Sequence, residues 1–499
     1  MKSYRRWQPT QSFLFPPSPA DWLPDDHLAF FVLDVVAELD ISEIERAVQG
    51  KDSRGERPYS PRMMLGLLIY GYCTGVFSSR KIQRATYESV AFRVLAGGEH
   101  PFHTTIADFR RVHLAAFKGL FLQVLMLCQK AGLVKLGHVA LDGSKVQGNA
   151  SKHKAMSYDG MQKAEKKLKA EVDDLVNRAK QADTVEDKRL GVGVEYKDLP
   201  SELARREDRL AKIAAARAAL EAEARKTRVE HLASLACEQA TASSTTDDQA
   251  AADAALKRAT KTIQQAEKIA SSGPDGPPAS GGNVTEEGLL THRTPCTVDG
   301  LPTDKAQRNF TDPDSRIMKA GGGYVQGYNC QQAVDGEHQI IVAQAVTNQG
   351  TDNGNLQPML EQVLKNMGAA PTAVTADTGY WNPEVADQAR ALGSTAYVSV
   401  GREKNNKDSA QSEMNAARQA MAALLSSDKG AATYRLRKAV VEPVHGQIKE
   451  VRGFRRFHLR GLFKVRGEWS LVCLGHNLLK LFRHGPRVPA ARRLAAVMA

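Results

Sequence analysis

The sequence has few cysteines, and none of them are spaced as metal ligands. No two of its six cysteines form a CxxC pair, and they are scattered at Cys73, Cys128, Cys237, Cys296, Cys330 and Cys473. This argues against a zinc ribbon or a disulfide framework and suits a reducing compartment. The chain also lacks the apolar N-terminal stretch of a signal peptide and any run long enough to span a bilayer. We therefore expect a cytoplasmic, nucleoid-associated protein with no membrane partner.

What the chain has in excess is positive charge. It carries 68 Lys and Arg against 56 Asp and Glu, a net charge of +12, and its pI is about 9.3. That balance fits a polyanionic partner such as nucleic acid, although many basic proteins bind nothing acidic. The 499 residues are 42% hydrophobic, enough for two or three domains with cores of their own. The triplet Gly321-Gly322-Gly323 has no lysine after it, so it does not match a nucleotide-binding loop.

Residues 1–135 are predicted to form an N-terminal helical domain. Ser60-Pro61 and Ser78-Ser79 each mark a helix start, and Gly75 should end the first of these helices. Thr105 and Asp108 have the spacing of a capping box, which would open a further helix carrying Arg110 and Arg111. Short helices with basic residues near their starts are typical of a helix-turn-helix DNA reader. A small helical bundle with a solvated basic face is the alternative.

The next segments divide by composition. Residues 136–150 read as a first strand, whereas the stretch from about 150 to 270 is rich in Ala, Lys, Glu and Arg, as suits long exposed helices or a helical hairpin. Gly, Pro and Ser dominate after residue 271, so 151–300 is interpreted as a helical insertion followed by a flexible linker. Solvation alone, DNA contact and dimerisation all remain open as roles for the charged helices.

Residues 301–485 resume an ordered core, and 486–499 form a tail. Strands are expected at 324–334, 338–347, 373–376 and 396–400, and helices at 354–368, from Pro383, at 443–452 and at 465–484. The polar stretch 401–430 is interpreted as a loop. Without the insertion the order is three strands, helix, strand, helix, strand, helix. This is the order of the ribonuclease H-like fold, so we predict an α/β mixed-sheet core, α+β overall, with an N-terminal all-helical domain.

Three acidic residues are candidates for metal-dependent phosphodiester chemistry. Asp142 follows the apolar run Val139-Ala140-Leu141, Asp377 ends the strand at 373–376, and Glu442 stands among basic residues. Two divalent ions about 3.5–4 Å apart can activate a nucleophile and neutralise charge on a phosphate, and carboxylate oxygens suit Mg²⁺ or Mn²⁺. Asp142 would bridge both ions, with Asp377 and Glu442 each binding one. Taken singly, each acid also fits a turn or a helix cap.

Basic residues surround Glu442. Pro443 biases Glu442 away from helical geometry, which predicts a helix edge or a kink. If the backbone is helical there, Lys438, Glu442, His445 and Lys449 share one face, with an exposed intrahelical ion pair as the alternative to phosphate binding. The DNA-contact candidates are Tyr434, Arg437, Lys438, Lys449, Arg452, Arg455, Arg456, Arg110 and Arg111.

Several segments together resemble the DDE-type insertion-sequence transposases, in the group with an N-terminal helical domain and a ribonuclease H-like core split by a helical insertion. They span about residues 25 to 485 and are Tyr59–Pro61, His103–Arg110, Asp142–Lys145, Thr311–Arg316, Tyr324–Asn329, Ala376–Tyr380 and Tyr434–Lys449. The resemblance implies a catalytic triad of Asp142, Asp377 and Glu442. It also implies a Tyr-Arg-Glu-Lys signature in which Tyr434, Glu442 and Lys449 fit. Arg437 lies one residue farther from Glu442 than the family pattern has it, and Arg435 and Lys438 are the alternatives for that position.

The resemblance further implies an activity and partners. Such enzymes bind terminal inverted repeats, cut at the element ends and join the 3′-OH to target DNA, and we expect a homo-oligomer in a synaptic complex. Two alternatives remain: a ribonuclease H-like nuclease that cuts without strand transfer, and a catalytically silent DNA-binding regulator.

Overall fold

The computed structural model describes residues 18–50, 57–189, 199–245, 248–272, 284–401 and 411–485. Its N-terminal part is all helical, with α1 Leu28–Glu38, α2 Ser42–Gln49, α3 Pro61–Thr74, α4 Ser79–Glu88, α5 Val90–Ala96, α6 His103–Val112 and α7 Ala116–Lys130. The starts predicted at Pro61 and Ser79 are confirmed, and α3 ends at Gly75 in a left-handed conformation, φ 82°.

The predicted capping box is wrong. Helix α6 begins at His103, so Thr105 lies inside its first turn rather than at the cap. A distant residue supplies the missing acceptor, because the Gln83 side-chain oxygen accepts a hydrogen bond from the His103 amide at 3.0 Å. A tertiary contact therefore sets this helix start, where the sequence pattern suggested a local one.

The strands form one mixed sheet and one small antiparallel pair. They are β1 His138–Gln147, β2 Ala155–Ser157, β3 Gln307–Asn309, β4 Arg316–Ala320, β5 Gly323–Asp335, β6 Ile341–Thr347, β7 Ala373–Ala376 and β8 Thr395–Val398. The large sheet runs β6-β5-β1-β7-β8, β4 pairs with the first half of β5, and β2 pairs with β3. Strand β5 is antiparallel to its neighbours, whereas β1, β7 and β8 are parallel. The predicted mixed-sheet, α+β fold with an N-terminal helical part is confirmed.

The insertion consists of long helices between β2 and β3. They are α8 Tyr158–Arg189, α9 Leu199–Ser244 and α10 Gln249–Ser271. The composition predicted long helices here, and the structure shows that α9 packs against both others. Glu223 on α9 connects this unit to the core, because its carboxylate binds the Thr294 hydroxyl at 3.0 Å and the guanidinium of Arg308. Residues 273–283 of the predicted linker lie outside the described residues.

The second half of the core adds five helices. They are α11 Leu356–Met367, α12 Val385–Ala391, α13 Gln411–Ser426, α14 Asp428–Gly446 and α15 Leu462–His484. The loop predicted at 401–430 is wrong from residue 411 onward, because α13 packs on β8 and buries Met421 there. Residues 402–410 lie outside the described ranges. Helix α14 begins at Asp428, well before the predicted start at residue 443. Ser427 caps it, because its hydroxyl oxygen accepts a hydrogen bond from the Gly430 amide at 3.1 Å.

Helix α15 joins the N-terminal helices to the sheet. It packs on α3, α7 and β6, and one hydrophobic core runs through all of them. Its Glu468 is fully buried and accepts hydrogen bonds from the Tyr72 hydroxyl at 3.0 Å and from the amides of His458 and Leu459 at 3.0 Å each. Because a buried carboxylate is costly without donors, these bonds fix α15 against α3. Among the described helices none alone is apolar and long enough to cross a membrane; α6 and α7 meet that test only as a pair bent by 80°.

Replacing Gly75 with alanine should test how closely α3 approaches the core. A Cβ there would lie 2.6 Å from the carbonyl oxygen of Arg452, whereas a Cβ at Gly97 would meet nothing within 4 Å; both glycines have positive φ. We expect Gly97→Ala to lower the free energy of unfolding by about 1 kcal/mol and Gly75→Ala by about 3 kcal/mol. Thermal and urea unfolding of both variants measure this, and equal losses would contradict the close approach.

Candidate active site

Parallel pairing places two of the candidate acids together. Ala140 of β1 lies opposite Thr375 of β7. Asp142 and Asp377 each follow two residues later, Asp142 after Ala140 and Asp377 after Thr375. The Asp377 carboxylate accepts a hydrogen bond from the Gly379 amide at 2.8 Å, which holds the turn after β7. Burial and the negative charge of Asp142 raise the pKa of Asp377. The two acids are therefore close enough to repel each other at one edge of the sheet.

Glu442 lies on the helix that faces these acids. Helix α14 packs on β1, β7 and β8, and Glu442 is an exposed residue in its interior, not at the predicted edge or kink. Pro443 leaves the Ala439 carbonyl without its helical donor, and the Gln339 side-chain amide donates to that oxygen at 3.1 Å. The helix therefore continues through the proline, because a residue from another element completes its hydrogen bonding.

Polar residues of α14 and of the turn that follows it lie on the face of Glu442 or next to Asp142. The helical backbone confirms that Lys438, Glu442 and His445 share a face, and His445 Nε2 lies 3.3 Å from Asp142 Oδ2. Lys449 follows in a π-helical turn, Gln447–Val451, where its Nζ donates to the Lys145 carbonyl oxygen at 3.0 Å. Burial lowers the pKa of Lys449, and the Asp142 charge opposes that shift. Positive groups thus stand beside the acid pair.

The remaining DNA-contact candidates divide by exposure. Lys438, Arg111, Arg455 and Arg456 are exposed. Arg111 pairs with Asp108 at 3.0 Å and Arg455 pairs with Glu450, whereas Arg456 donates to the Asn149 side chain at 2.7 Å. Tyr434 and Arg437 are half-buried, with the Arg437 guanidinium 6.0 Å from the Tyr434 ring centre. The positive charge of Arg437 also lowers the pKa of Asp377 against the larger, raising effect of burial.

Two predicted DNA contacts do not fit the structure. Arg110 is 4% exposed and donates to the Tyr72 hydroxyl at 3.1 Å and to the Phe77 carbonyl at 2.9 Å. Arg452 is 6% exposed and donates to the carbonyls of Tyr72 and Val472. Their basic character suggested phosphate binding, but both guanidinium groups lie in the interface between the N-terminal helices and α15. Burial there gives them a structural role.

One acid beside the pair was missed from the sequence. Asp352, in the loop before α11, is 14% exposed in its side chain and pairs with Lys145 at 2.9 Å. Its negative charge also raises the pKa of Asp377, after burial and Asp142. In the sequence it belongs to Gly350-Thr351-Asp352-Asn353-Gly354, a composition that indicates only a turn. No local signal separates it from an ordinary turn aspartate.

The donor set fits a divalent metal in part. Asp142 and Asp377 offer crowded hard-oxygen ligands, and a bound cation would offset both the burial and the Asp142 charge, which together raise the Asp377 pKa. Within the described ranges, however, no group of three or more His, Cys, Asp or Glu side chains is arranged to hold a metal ion. Glu442 is on the facing helix without being gathered into the acid pair.

Two family models match the chain. A model described as "Transposase DDE domain" covers residues 399–482, which include Glu442, all of α14 and most of α15. A model described as "Transposase domain (DUF772)" covers residues 18–112, from the start of the described chain to the end of α6. Transposases bind DNA, and transposase DDE domains use divalent metal ions. No curated protein and no solved structure matches this chain.

The Asp377→Asn variant should melt at a higher temperature than the wild type in metal-free buffer at neutral pH. An aspartate whose pKa is raised by folding binds its proton more tightly in the folded chain, so folding loses stability as pH rises through that window. Asparagine keeps the acceptor for the Gly379 amide but removes the repelled charge. The gain should disappear as pH falls below about 3.9, the ordinary aspartate pKa.

The exposed Asp299→Asn variant is the control, since it changes the same charge without a crowded neighbour. Melting temperatures of the three proteins, measured with a chelator from about pH 3 to about pH 8, test this prediction, since the range extends below the ordinary aspartate pKa. An Asp377→Asn curve that runs parallel to the control would mean that the acids do not repel each other.

Proposed function

We propose that this chain is a DDE-type insertion-sequence transposase, a family that its two matches support, and that it binds the terminal repeats of its own element and cuts and joins DNA there through Asp142, Asp377 and Glu442. The observation that carries the proposal is the pairing of β1 with β7, which sets Asp142 beside Asp377 under the helix that bears Glu442. Two carboxylates held together against their own repulsion can be stabilised by a shared cation, and such pairs cluster at functional sites.

Asp142 and Asp377 would hold divalent ions, Mg²⁺ or Mn²⁺, with Glu442 from α14 as the third ligand. Two such ions supply an activated oxygen nucleophile and neutralise charge on the attacked phosphate. The protein's own groups orient the DNA: Lys438 presents an exposed ammonium group on the face of Glu442. His445 Nε2 lies 3.3 Å from Asp142 Oδ2 on that same face.

DNA would reach the acids along a basic surface next to them. Arg455 and Arg456 are exposed, and the segment that carries them extends the sheet, because the Phe457 amide donates to the Gln147 carbonyl at the end of β1 at 2.8 Å. The surface therefore begins five residues beyond Asp142 on the same strand. Phosphate contacts there position the duplex without reading its sequence.

The proposed reaction needs both element ends. A single active site joins one 3′ end at a time, so insertion of an element requires two copies of the chain in one complex. We therefore propose a homo-oligomer that holds both ends, with the N-terminal helices of residues 18–112 as the part that binds the terminal repeats.

Neutral variants of the acids test the proposed triad. Purified protein, Mg²⁺ and a labelled fragment of the element end are assayed for cutting and for joining to plasmid. We expect Asp142→Asn, Asp377→Asn and Glu442→Gln each to reduce both steps roughly 10³-fold or more, since each removes a ligand of the ions that stabilise the transition state. Binding of the end should persist. The control is Glu361→Gln, an exposed acid on α11.

Each other outcome favours a different function. Cutting without joining by the wild type would favour the nuclease, and binding without either step in Mg²⁺ and Mn²⁺ would favour a silent regulator. Full activity of Glu442→Gln would remove Glu442 from the triad.

The exposed arginines should carry part of the DNA affinity. Replacing Arg455 and Arg456 together with alanine should weaken binding to all sequences alike and make the dependence of log K on log salt shallower by about 0.9 for each phosphate that is no longer neutralised. Arg390→Ala is the control, an exposed arginine on α12 that pairs with Asp387. Binding isotherms measured between about 50 mM and about 300 mM salt give this slope. An unchanged slope would place the DNA path elsewhere.

A further inference from the structure

Asp352 is surrounded by three side-chain donors from two strands, β5 and β1. Its Oδ1 accepts hydrogen bonds from the side-chain amides of Asn329 at 2.7 Å and Gln331 at 2.6 Å, and Lys145 Nζ lies 3.1 Å from Oδ1 and 2.9 Å from Oδ2. Asn329 and Gln331 alternate along β5 opposite Lys145 and Gly143 of β1, so all four lie on one face of the sheet. Asp352 covers that face.

Glycines make room for this carboxylate beside both acids. A Cβ on Gly143, the residue after Asp142, would lie 2.5 Å from Gln331 Nε2 and 2.9 Å from Asp352 Cγ. A Cβ on Gly379, two residues after Asp377, would lie 3.3 Å from Asp352 Oδ2. The same constraint therefore explains the glycines in Asp142-Gly143 and Asp377-Thr378-Gly379. The Asp352 carboxylate lies between them and occupies the space that a Cβ would need.

The same network reaches the turn after β7. The hydroxyl of Tyr380, fully buried, donates to the Gln331 side-chain oxygen, so the turn that carries Asp377 is tied to β5 through Gln331. Gln331 in turn binds Asp352. One set of buried polar contacts thus connects strand β1, strand β5 and the Asp377 turn. Loss of one partner would leave a buried polar group without a hydrogen bond and would destabilise the fold.

Asp352 itself is poorly suited to bind a metal. Its oxygens already accept from two amides and an ammonium group, and Lys145 neutralises its charge at 13% exposure. By alternation along β1, the Asp142 side chain points to the opposite face of the sheet from Gly143 and Lys145. A ligand to a shared ion would have to leave these donors, and a buried ammonium group would remain unpaired.

We propose that Asp352 is a positioning residue, paired with Lys145, whose carboxylate seated over Gly143 and Gly379 fixes the spacing between Asp142 and Asp377. This rests on the proposed function, because the spacing matters for holding the divalent ions. It assigns Asp352 and Lys145 a role in geometry and charge balance, separate from the triad.

Gly143→Ala tests the seat without changing any charge, and Gly137→Ala is its matched control, since a Cβ at Gly137 meets nothing within 4 Å. We expect Gly143→Ala to lower the maximal single-turnover cutting rate at least about tenfold and to raise the Mn²⁺ concentration for half-maximal rate. Metal-free binding of the element end should stay within about twofold of wild type, the limit of a change well under 1 kcal/mol. Gly137→Ala should match the wild type throughout.

Asp352→Asn is the second variant, should alanine at 143 prevent folding. It keeps the size and one acceptor but leaves the Lys145 charge unpaired, and it should show the same loss of rate and the same shift in Mn²⁺ dependence. Wild-type rate and Mn²⁺ dependence in the folded fraction of both variants, with only a lower melting temperature, would overturn the proposal and leave the pair a purely structural role.

A readout without DNA separates this inference from the proposed function. Calorimetric titration of the DNA-free protein with Mn²⁺ should show weaker binding for Gly143→Ala and Asp352→Asn and unchanged binding for Gly137→Ala. If the wild type binds Mn²⁺ but neither cuts nor joins, the proposed function fails while the titration still tests the positioning role. Equal Mn²⁺ affinity in all four proteins would overturn the role of Asp352.

Discussion

The parallel pairing of β1 with β7 is the constraint on which the site depends. Parallel strands bring corresponding ends to one edge of the sheet, so residues two beyond the last paired positions, Asp142 and Asp377, are forced together. Burial, and after it the negative charge of Asp142, raise the pKa of Asp377. Nearby basic groups oppose this negative charge, since Arg437 and Lys449 supply positive charge, and His445 contacts Asp142.

A second constraint is the placement of α14 over that edge. Proline inside a helix typically costs about 3 kcal/mol, chiefly through a lost hydrogen bond and a clash. Here Gln339, which itself adopts a left-handed conformation at φ 59°, donates to the orphaned Ala439 carbonyl. Lys480 and His476 of α15 bind the side chain and the carbonyl of Gln339 in turn. The helix that carries Glu442 is therefore supported through α15, the helix that also packs on the N-terminal domain.

Much of the fold follows from local pattern. The strand 373–376, the hairpin of β5 and β6, the helix that starts at Pro61 and the long charged helices of the insertion are marked by apolar runs, turn residues or composition, and the structure has them. The failures have one cause. The start of α6, the helix α13 and the continuation of α14 through Pro443 are each set by a partner distant in sequence, namely Gln83, β8 and Gln339.

The sequence by itself determined the order of the elements and the identity of the three candidate acids, because each acid sits at the end of a periodic run or in a motif that can be read residue by residue. Only the tertiary structure decided what surrounds them. Whether an arginine is a phosphate contact or, as with Arg110 and Arg452, a buried donor depends on burial, which no local pattern encodes. Asp352 lies between Gly143 and Gly379, and these three residues belong to segments separated by more than about 20 residues of sequence. Such contacts form only when the sheet assembles.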